Sequence, residues 1–207
     1  MDKNTNIILI DLKKVESHMR SRYDTYTSYY KGKDERMKLN FDDVFKIMEQ
    51  SFPLEEMRCY EGQKALFERD DYKVKTYSHE GVIAGFCAYY ELGDILYIEH
   101  LAASPEARGL GIGTKLVKEI LSEAKGMVIL EVEPPVDEIT RRRVVFYEKL
   151  GFYLNPHYHF QPPLNRETGG VELKIMSFPR AISEEEQKVY RRLLNVAIYG
   201  VDKDLHI

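Results

Sequence analysis

Residues 108–113 read Arg-Gly-Leu-Gly-Ile-Gly, and this stretch decides how the rest of the chain is interpreted. Its three glycines allow a sharp turn and a close approach of the main chain to a ligand. The apolar spacing that follows predicts a helix beginning in the turn, with Ile112, Leu116, Val117 and Ile120 on one face. Helix starts carry unpaired N–H groups and a partial positive charge, to which Arg108 adds a full one. The turn therefore predicts a phosphate or pyrophosphate site, with a plain glycine-rich connection as the alternative.

Two common phosphate-binding motifs do not fit this spacing. A dinucleotide fingerprint requires G-x-G-x-x-G inside a βαβ unit, but the sixth position counted from Gly109 is Thr114. A P-loop requires a glycine before its lysine, whereas Lys115 follows Thr114. Both nucleotide-binding alternatives are therefore disfavoured.

The segments around the turn predict a mixed α/β sheet flanked by helices. Before the turn, residues 72–78 alternate, residues 82–91 form a strong apolar run and residues 95–103 are again extended. With the turns between them, they predict an antiparallel meander. After it, the apolar residues 127–132 predict a central strand, parallel to the preceding one because a helix crosses between them. Further helices are predicted at 42–52, 54–69 and 137–150, and a late strand at 171–178 after a Pro-rich loop.

We divide the chain into three segments. Residues 36–178 form the predicted domain, and residues 1–35 form an N-terminal extension whose apolar spacing is helical. Residues 179–207 form a C-terminal extension in which Ser183 and Glu186 make a capping box for a last helix. We expect that helix to pack on the domain.

Composition narrows the class of protein. The 207 residues are 43% hydrophobic, which is enough for one large core. With 30 Lys and Arg against 34 Asp and Glu, the net charge of −4 does not favour a nucleic-acid partner. Cys59 and Cys87 lie too far apart in sequence to indicate a disulfide scaffold. The apolar run at 7–10 is too short for a membrane segment, so we expect a cytoplasmic protein without a membrane partner.

A second motif identifies a family. Arg108, Gly111 and Gly113 match the coenzyme A site [Gln/Arg]-x-x-Gly-x-[Gly/Ala], and residues 146–152, Phe-Tyr-Glu-Lys-Leu-Gly-Phe, match F-Y-x-x-x-G-F. Together with residues 97–108, these motifs resemble the GNAT N-acetyltransferase superfamily over roughly residues 36–178. The resemblance implies a GNAT fold and transfer of an acetyl group from acetyl-CoA to a primary amine by direct attack. The alternative is a non-catalytic, CoA-binding sensor or interaction protein with the same fold.

The resemblance also implies which residues hold the coenzyme. The main chain of Leu101, Ala102 and Ala103 would pair with the pantetheine arm and the acetyl carbonyl. The turn and the first helical residues would hold the pyrophosphate: Arg108, Gly109, Leu110, Gly111, Ile112, Gly113 and Thr114. Many members of the family have an asparagine seven residues before the catalytic tyrosine, where this chain has Thr140, so one coenzyme contact is in doubt.

Catalytic roles follow by the same resemblance. Tyr147 is the expected general acid, since a phenol with a pKa near ~10 still carries a proton that a departing thiolate can accept. Glu99 and His100 are candidates for accepting the ammonium proton, directly or through water. Strand alternation would send them to opposite faces, and Glu99 is preferred because it shares parity with Leu101. Packing alone is the alternative for all three.

No metal is predicted, because His157 and His159 have no third ligand cluster near them in the sequence. The acceptor is left as a small-molecule or peptide amine. The oligomeric state also stays open, with a homodimer among the alternatives.

Overall fold

The structure is a computed structural model that describes residues 41–164 and 169–201. Five helices and seven strands follow each other in these residues, together with short 3-10 turns at Leu54–Glu56 and Pro105–Ala107. The helices are α1 (Phe41–Glu49), α2 (Tyr60–Leu66), α3 (Ile112–Glu123), α4 (Glu138–Glu148) and α5 (Glu184–Ala197). The strands are β1 (Tyr72–His79), β2 (Val82–Leu92), β3 (Ile95–Ala103), β4 (Val128–Val132), β5 (Tyr153–Leu154), β6 (His159–Gln161) and β7 (Val171–Phe178).

The strands form one mixed sheet in the order β1-β2-β3-β4-β7-β5, with β6 also paired to β7. Strands β3 and β4 run parallel, joined by α3, and the other pairings among the described strands are antiparallel. This arrangement confirms the predicted mixed α/β architecture. The predicted helix at 1–35 lies outside the described residues.

Helices cover both faces of the sheet and bury two apolar clusters. On one face, α3 and α4 bury the stripe predicted from sequence, namely Ile112, Leu116, Val117 and Ile120. On the other face, α1 and α5 bury side chains such as Met48 and Leu194. The capping box of Ser183 and Glu186 begins α5 as predicted, and this helix shares its apolar cluster with the sheet rather than lying on the surface.

Two local predictions need correction. The predicted helix at 54–69 is interrupted between the 3-10 turn and α2. There Met57 adopts an extended conformation, and its side chain is buried. The Pro-rich loop contains the short strands β5 and β6. Gly126 follows α3, and glycine is required there because a Cβ would lie 2.2 Å from the carbonyl oxygen of Asp94.

In the described part of the chain, none of the helices combines the length and apolar character needed to cross a bilayer.

Candidate active site

Strands β3 and β4 separate in the middle of the sheet. Their pairing covers Leu96 to Ile98 against Val128 to Leu130 and extends no further in the described residues. Beyond Ile98, β3 keeps its other neighbour, since Leu101, Ala102 and Ala103 continue to pair with β2. The edge of β3 that faces β4 therefore offers main-chain N–H and C=O groups without a strand partner. The family resemblance implies the pantetheine contacts at these residues.

The glycine turn lies at the N-terminus of α3. Gly109 and Gly111 have φ values of 85° and 73°, and a Cβ at either would meet no protein atom within 4 Å. Gly111 is the N-cap without a side-chain hydrogen bond, and the first helical bond runs from the Lys115 N–H to its carbonyl. In the described residues, no acceptor is found for the N–H groups of residues 111–114. Four aligned donors beside the exposed Arg108 fit a pyrophosphate.

Close packing brings the two sequence motifs together at this turn. A Cβ at Gly113 would lie 3.5 Å from the ring of Phe146 and 3.7 Å from Leu101. Gly85 of β2, which sequence reasoning missed, also packs closely against α3: an added Cβ would lie 2.7 Å from Ile112. Its signal was a glycine inside an apolar strand, which often marks a close approach.

Tyr147 lies near the end of α4 and is almost fully buried. Its ring contacts Phe146 and Phe152 edge to face, at centroid distances of 4.9 and 5.6 Å. Burial, and to a lesser degree Cys87, raises the pKa of the Tyr147 phenol, while Arg143 one turn earlier opposes the shift. The phenol therefore holds its proton at neutral pH.

Thr140 has a structural task at the start of the same helix. Its N–H donates to Asp137 Oδ1 at 2.8 Å, and the Asp137 N–H donates to Thr140 Oγ1 at 3.1 Å, which completes a capping box. The buried threonine thus helps to satisfy the hydrogen-bonding groups at the start of α4. At the position where the resemblance implied an asparagine, this chain therefore has a residue that caps the helix.

A β-bulge changes the expected facing of Glu99. Strand β2 pairs Ala88 with His100 and Tyr89 with Ile98, so Glu99 is the extra residue on β3. A bulge interrupts alternation, and the side chains of Glu99 and His100 consequently line the same cavity. The expectation that only one of them reaches the cleft was therefore wrong.

Glu99 is held in a buried ion pair. Arg58 Nη1 donates to Glu99 Oε1 at 2.8 Å, and the two side chains are 12% and 3% exposed. His100 Nδ1 lies 3.3 Å from Glu99 Oε2. Burial alone would raise the pKa of Glu99, but Arg58 and His100 lower it to about 2. The carboxylate keeps its charge at neutral pH and is a weak base.

A cavity of about 40 Å³ lies between the separated strands. Four acidic side chains line it, namely Glu56, Glu99, Glu131 and Glu133. His100, Arg143, Gln161 and several other residues complete the lining. Apart from Glu99, sequence reasoning missed these carboxylates; the available signal was the pair Glu131 and Glu133 at the end of an apolar strand. The cavity has room for an amino group and a few waters.

Most of these carboxylates already have partners. Glu131 accepts hydrogen bonds from Tyr97 and Tyr199 and contacts His159 Nε2. Glu133 forms an ion pair with Arg143. His159 thus contacts a carboxylate. The described residues contain no group of three or more His, Cys, Asp or Glu that could hold a metal ion.

Comparisons with known proteins agree with this geometry. The sequence profile of the family described as "Acetyltransferase (GNAT) family" matches residues 41–152. The chain is 30% identical to "Putative acetyltransferase YjbC" of Bacillus subtilis (strain 168) over 148 residues, 69% of this chain and 73% of that protein. A "Putative acetyltransferase from GNAT family" of Bacteroides thetaiotaomicron superposes with a TM-score of 0.72 at 27% identity, covering 78% of this chain and 92% of that one. An aminoglycoside 6'-N-acetyltransferase complexed with coenzyme A shares the fold at 15% identity, with a TM-score of 0.52 over 71% of this chain and 94% of that one.

Proposed function

This chain belongs to the GNAT acetyltransferase family, and on that premise we propose that it transfers an acetyl group from acetyl-CoA to a primary amine by direct attack. The observation that carries the proposal is the gap between β3 and β4: it contains the acidic cavity, and it leaves open the edge of β3, the strand that leads to the glycine turn. An amine in the cavity and a coenzyme held along this edge would meet inside the sheet. Such a meeting requires no covalent enzyme intermediate.

The coenzyme half of the proposal uses main-chain groups. Arg108 and the N–H groups of residues 111–114 would bind the pyrophosphate, and the unpaired edge of Leu101, Ala102 and Ala103 would hold the pantetheine arm. The coenzyme supplies an activated thioester. The glycine turn and the edge of β3 would position this thioester beside the cavity.

The acceptor half must overcome protonation of the amine. An alkylamine has a pKa near ~10.4, so deprotonating it at pH 7 costs about 4–5 kcal/mol. The carboxylates of the cavity attract the cation, and Glu99 keeps its negative charge because Arg58 lowers its pKa to about 2. In this proposal Glu99 binds the amino group through Oε2, which has no hydrogen-bond partner in the described residues.

Tyr147 is the proposed general acid. When the thioester C–S bond breaks, the thiolate, whose conjugate acid has a pKa near ~8.5, takes the phenolic proton. Tyr147 regains a proton from the nitrogen that has formed the new amide bond. The raised pKa of Tyr147 ensures that the proton is present before transfer.

Turnover with an amine panel tests the function directly. Thiol release from acetyl-CoA would be followed with polyamines, amino acids, aminoglycosides and a peptide with a free N-terminus. We expect amine-dependent release with at least one of them. Coenzyme A binding without turnover on any amine would contradict the proposal and favour the CoA-binding sensor.

Gly111→Ala tests the coenzyme site. We expect the KM for acetyl-CoA to rise about tenfold, because the Cβ adds bulk where a phosphate must approach the main chain and strains the left-handed conformation. Gly93→Ala is the matched control, since Gly93 has a φ of 70° and equally open surroundings in the β2–β3 turn. Both variants should lose about 1 kcal/mol of stability. An equal rise in the KM for acetyl-CoA in the two variants would contradict the assignment of this turn as the coenzyme site.

A further inference from the structure

We propose that Glu56 accepts the proton of the acceptor ammonium; this role rests on the proposed acetyl transfer and adds a catalytic residue to it. Glu56 ends the 3-10 turn before α2 and lines the cavity between β3 and β4. No sequence motif pointed to it, because the region was predicted as continuous helix. The interruption at Met57 is what brings Glu56 to the cavity.

The position of Glu56 is fixed on both sides. Its main-chain oxygen is 3.0 Å from His100 Nε2, which ties the turn to β3. The Glu56 N–H donates to the Pro53 carbonyl at 3.1 Å, and the side chain of the next residue, Met57, is buried in the core. Because the main chain of Glu56 is anchored in this way, only the side chain has to adjust when a ligand binds.

Glu56 is the acidic residue of the cavity that remains available. Glu99 is committed to Arg58, Glu133 to Arg143, and Glu131 to its tyrosine and histidine partners. For the Glu56 carboxylate, the described residues provide neither a hydrogen bond nor an ion pair. A carboxylate that is partly removed from water is stabilised when it pairs with a cation. The arrangement therefore points to a cation as the missing partner of Glu56.

The charges around Glu56 suit a proton acceptor. Burial raises the pKa of its carboxyl group; Arg143 of α4 and His100 of β3 oppose the shift, while Glu55 of the same turn and Glu131 of β4 add to it. Glu99 and Glu133 face the same cavity with their charges paired. Glu56 is therefore a stronger base than Glu99, whose pKa is about 2.

A second observation also indicates a polar ligand at this place. Gln161 lines the cavity with 5% of its surface exposed, and its Nε2 has no partner in the described residues. Glu99 Oε2 is likewise buried, and although His100 Nδ1 lies 3.3 Å away, no hydrogen bond of good geometry joins the two atoms. Buried polar atoms without partners are costly, so a ligand with an amino group and a hydrogen-bond acceptor would satisfy both.

The proton balance of the step is complete. The acceptor R–NH₃⁺ gives one proton to the Glu56 carboxylate, and the resulting lone pair attacks the thioester carbonyl. The C–N bond forms, the C–S bond breaks, and Tyr147 passes one proton from the nitrogen to the thiolate. The products are R–NH–CO–CH₃ and the free thiol, and the carboxylic acid of Glu56 returns its proton to water.

Glu56→Gln tests the role, and Glu55→Gln is its matched control. Glu55 is the exposed neighbour on the same turn, so its loss changes the net charge equally without touching the cavity. Thiol release would be measured from pH 6 to 10 with the best amine of the panel. At pH 7 we expect Glu56→Gln to lower kcat/KM for the amine about 100-fold, whereas Glu55→Gln stays within about threefold of wild type.

The pH profile separates proton transfer from simple binding. The deficit of Glu56→Gln should shrink as the pH approaches the amine pKa, because free amine then needs no base. A deficit of equal size at every pH, or activity equal to that of Glu55→Gln, would overturn the role. Thermal unfolding of both variants checks that they fold, and Glu56→Asp should recover part of the rate if the proposal is correct. A wild-type chain without turnover on any amine would overturn the proposed function itself, so the two failures are distinguishable.

Discussion

Replacing Tyr147 with Phe is expected to lower kcat about 1,000-fold while the KM for acetyl-CoA changes by less than about threefold. The substitution removes one hydroxyl group and leaves the ring, so the edge-to-face contacts with Phe146 and Phe152 persist. What is lost is the proton that the leaving thiolate takes up as the C–S bond breaks. Thiol release at saturating amine, with acetyl-CoA varied, measures both constants.

Tyr153→Phe provides the matched control for this substitution. Tyr153 follows α4 on β5, is 50% exposed, and lies outside the proposed site. Its variant should keep the wild-type kcat. Tyr147→Phe with kcat also close to wild type would reduce Tyr147 to a packing residue, and a large rise in the KM for acetyl-CoA would indicate a binding role.

Features encoded by local patterns could be predicted from the sequence. The glycine turn needs only its own residues to adopt left-handed conformations, and the buried stripe of α3 follows from helical periodicity. The parallel pairing of β3 and β4 follows from the helix between them. These three features allowed a phosphate site to be predicted at the turn, whereas the individual coenzyme contacts were implied by the family resemblance.

Features of the acceptor side depend on contacts between distant residues. Arg58 and Glu99 are 41 residues apart, and Tyr199 reaches Glu131 across 68. Neither contact leaves a periodic signal in the sequence. The bulge at Glu99 also depends on the register of β2, which alternation alone does not reveal. Apart from Glu99, the carboxylates of the cavity were therefore recognised only in the folded chain.

The contact between Tyr199 and Glu131 also bears on the C-terminal segment. Tyr199 directly follows α5 and donates to a carboxylate that lines the cavity. Because Leu193 and Leu194 of the same helix are buried against the sheet, the segment fixes this hydroxyl firmly. We infer that residues 179–201 help to shape the acceptor side and are more than an addition to the surface.

Arg58→Met is expected to destabilise the protein by about 3–5 kcal/mol at neutral pH, because it leaves Glu99 as a buried charge without its cation. In the wild type, the folded pKa of Glu99, about 2, lies below its ordinary value of 4.5. The stability gained from this shift is present above pH 4.5 and is lost as the pH falls towards 2. Without Arg58, burial raises that pKa, so the deficit of the variant should shrink as the pH falls through the raised value. Urea unfolding at pH 8 and pH 5 measures the change.

Two further variants separate the buried charge from lost packing. Lys118→Met removes an exposed cation from α3 and should change stability by less than about 0.5 kcal/mol. The double variant Arg58→Met with Glu99→Gln removes both charges, and it should be more stable than Arg58→Met alone at pH 8. If the double variant were equally unstable, the loss would come from the packing of the Arg58 stem. Recovery would instead show that Arg58 stabilises the fold by compensating the buried charge of Glu99, and this charge is the one that the proposed amine site uses.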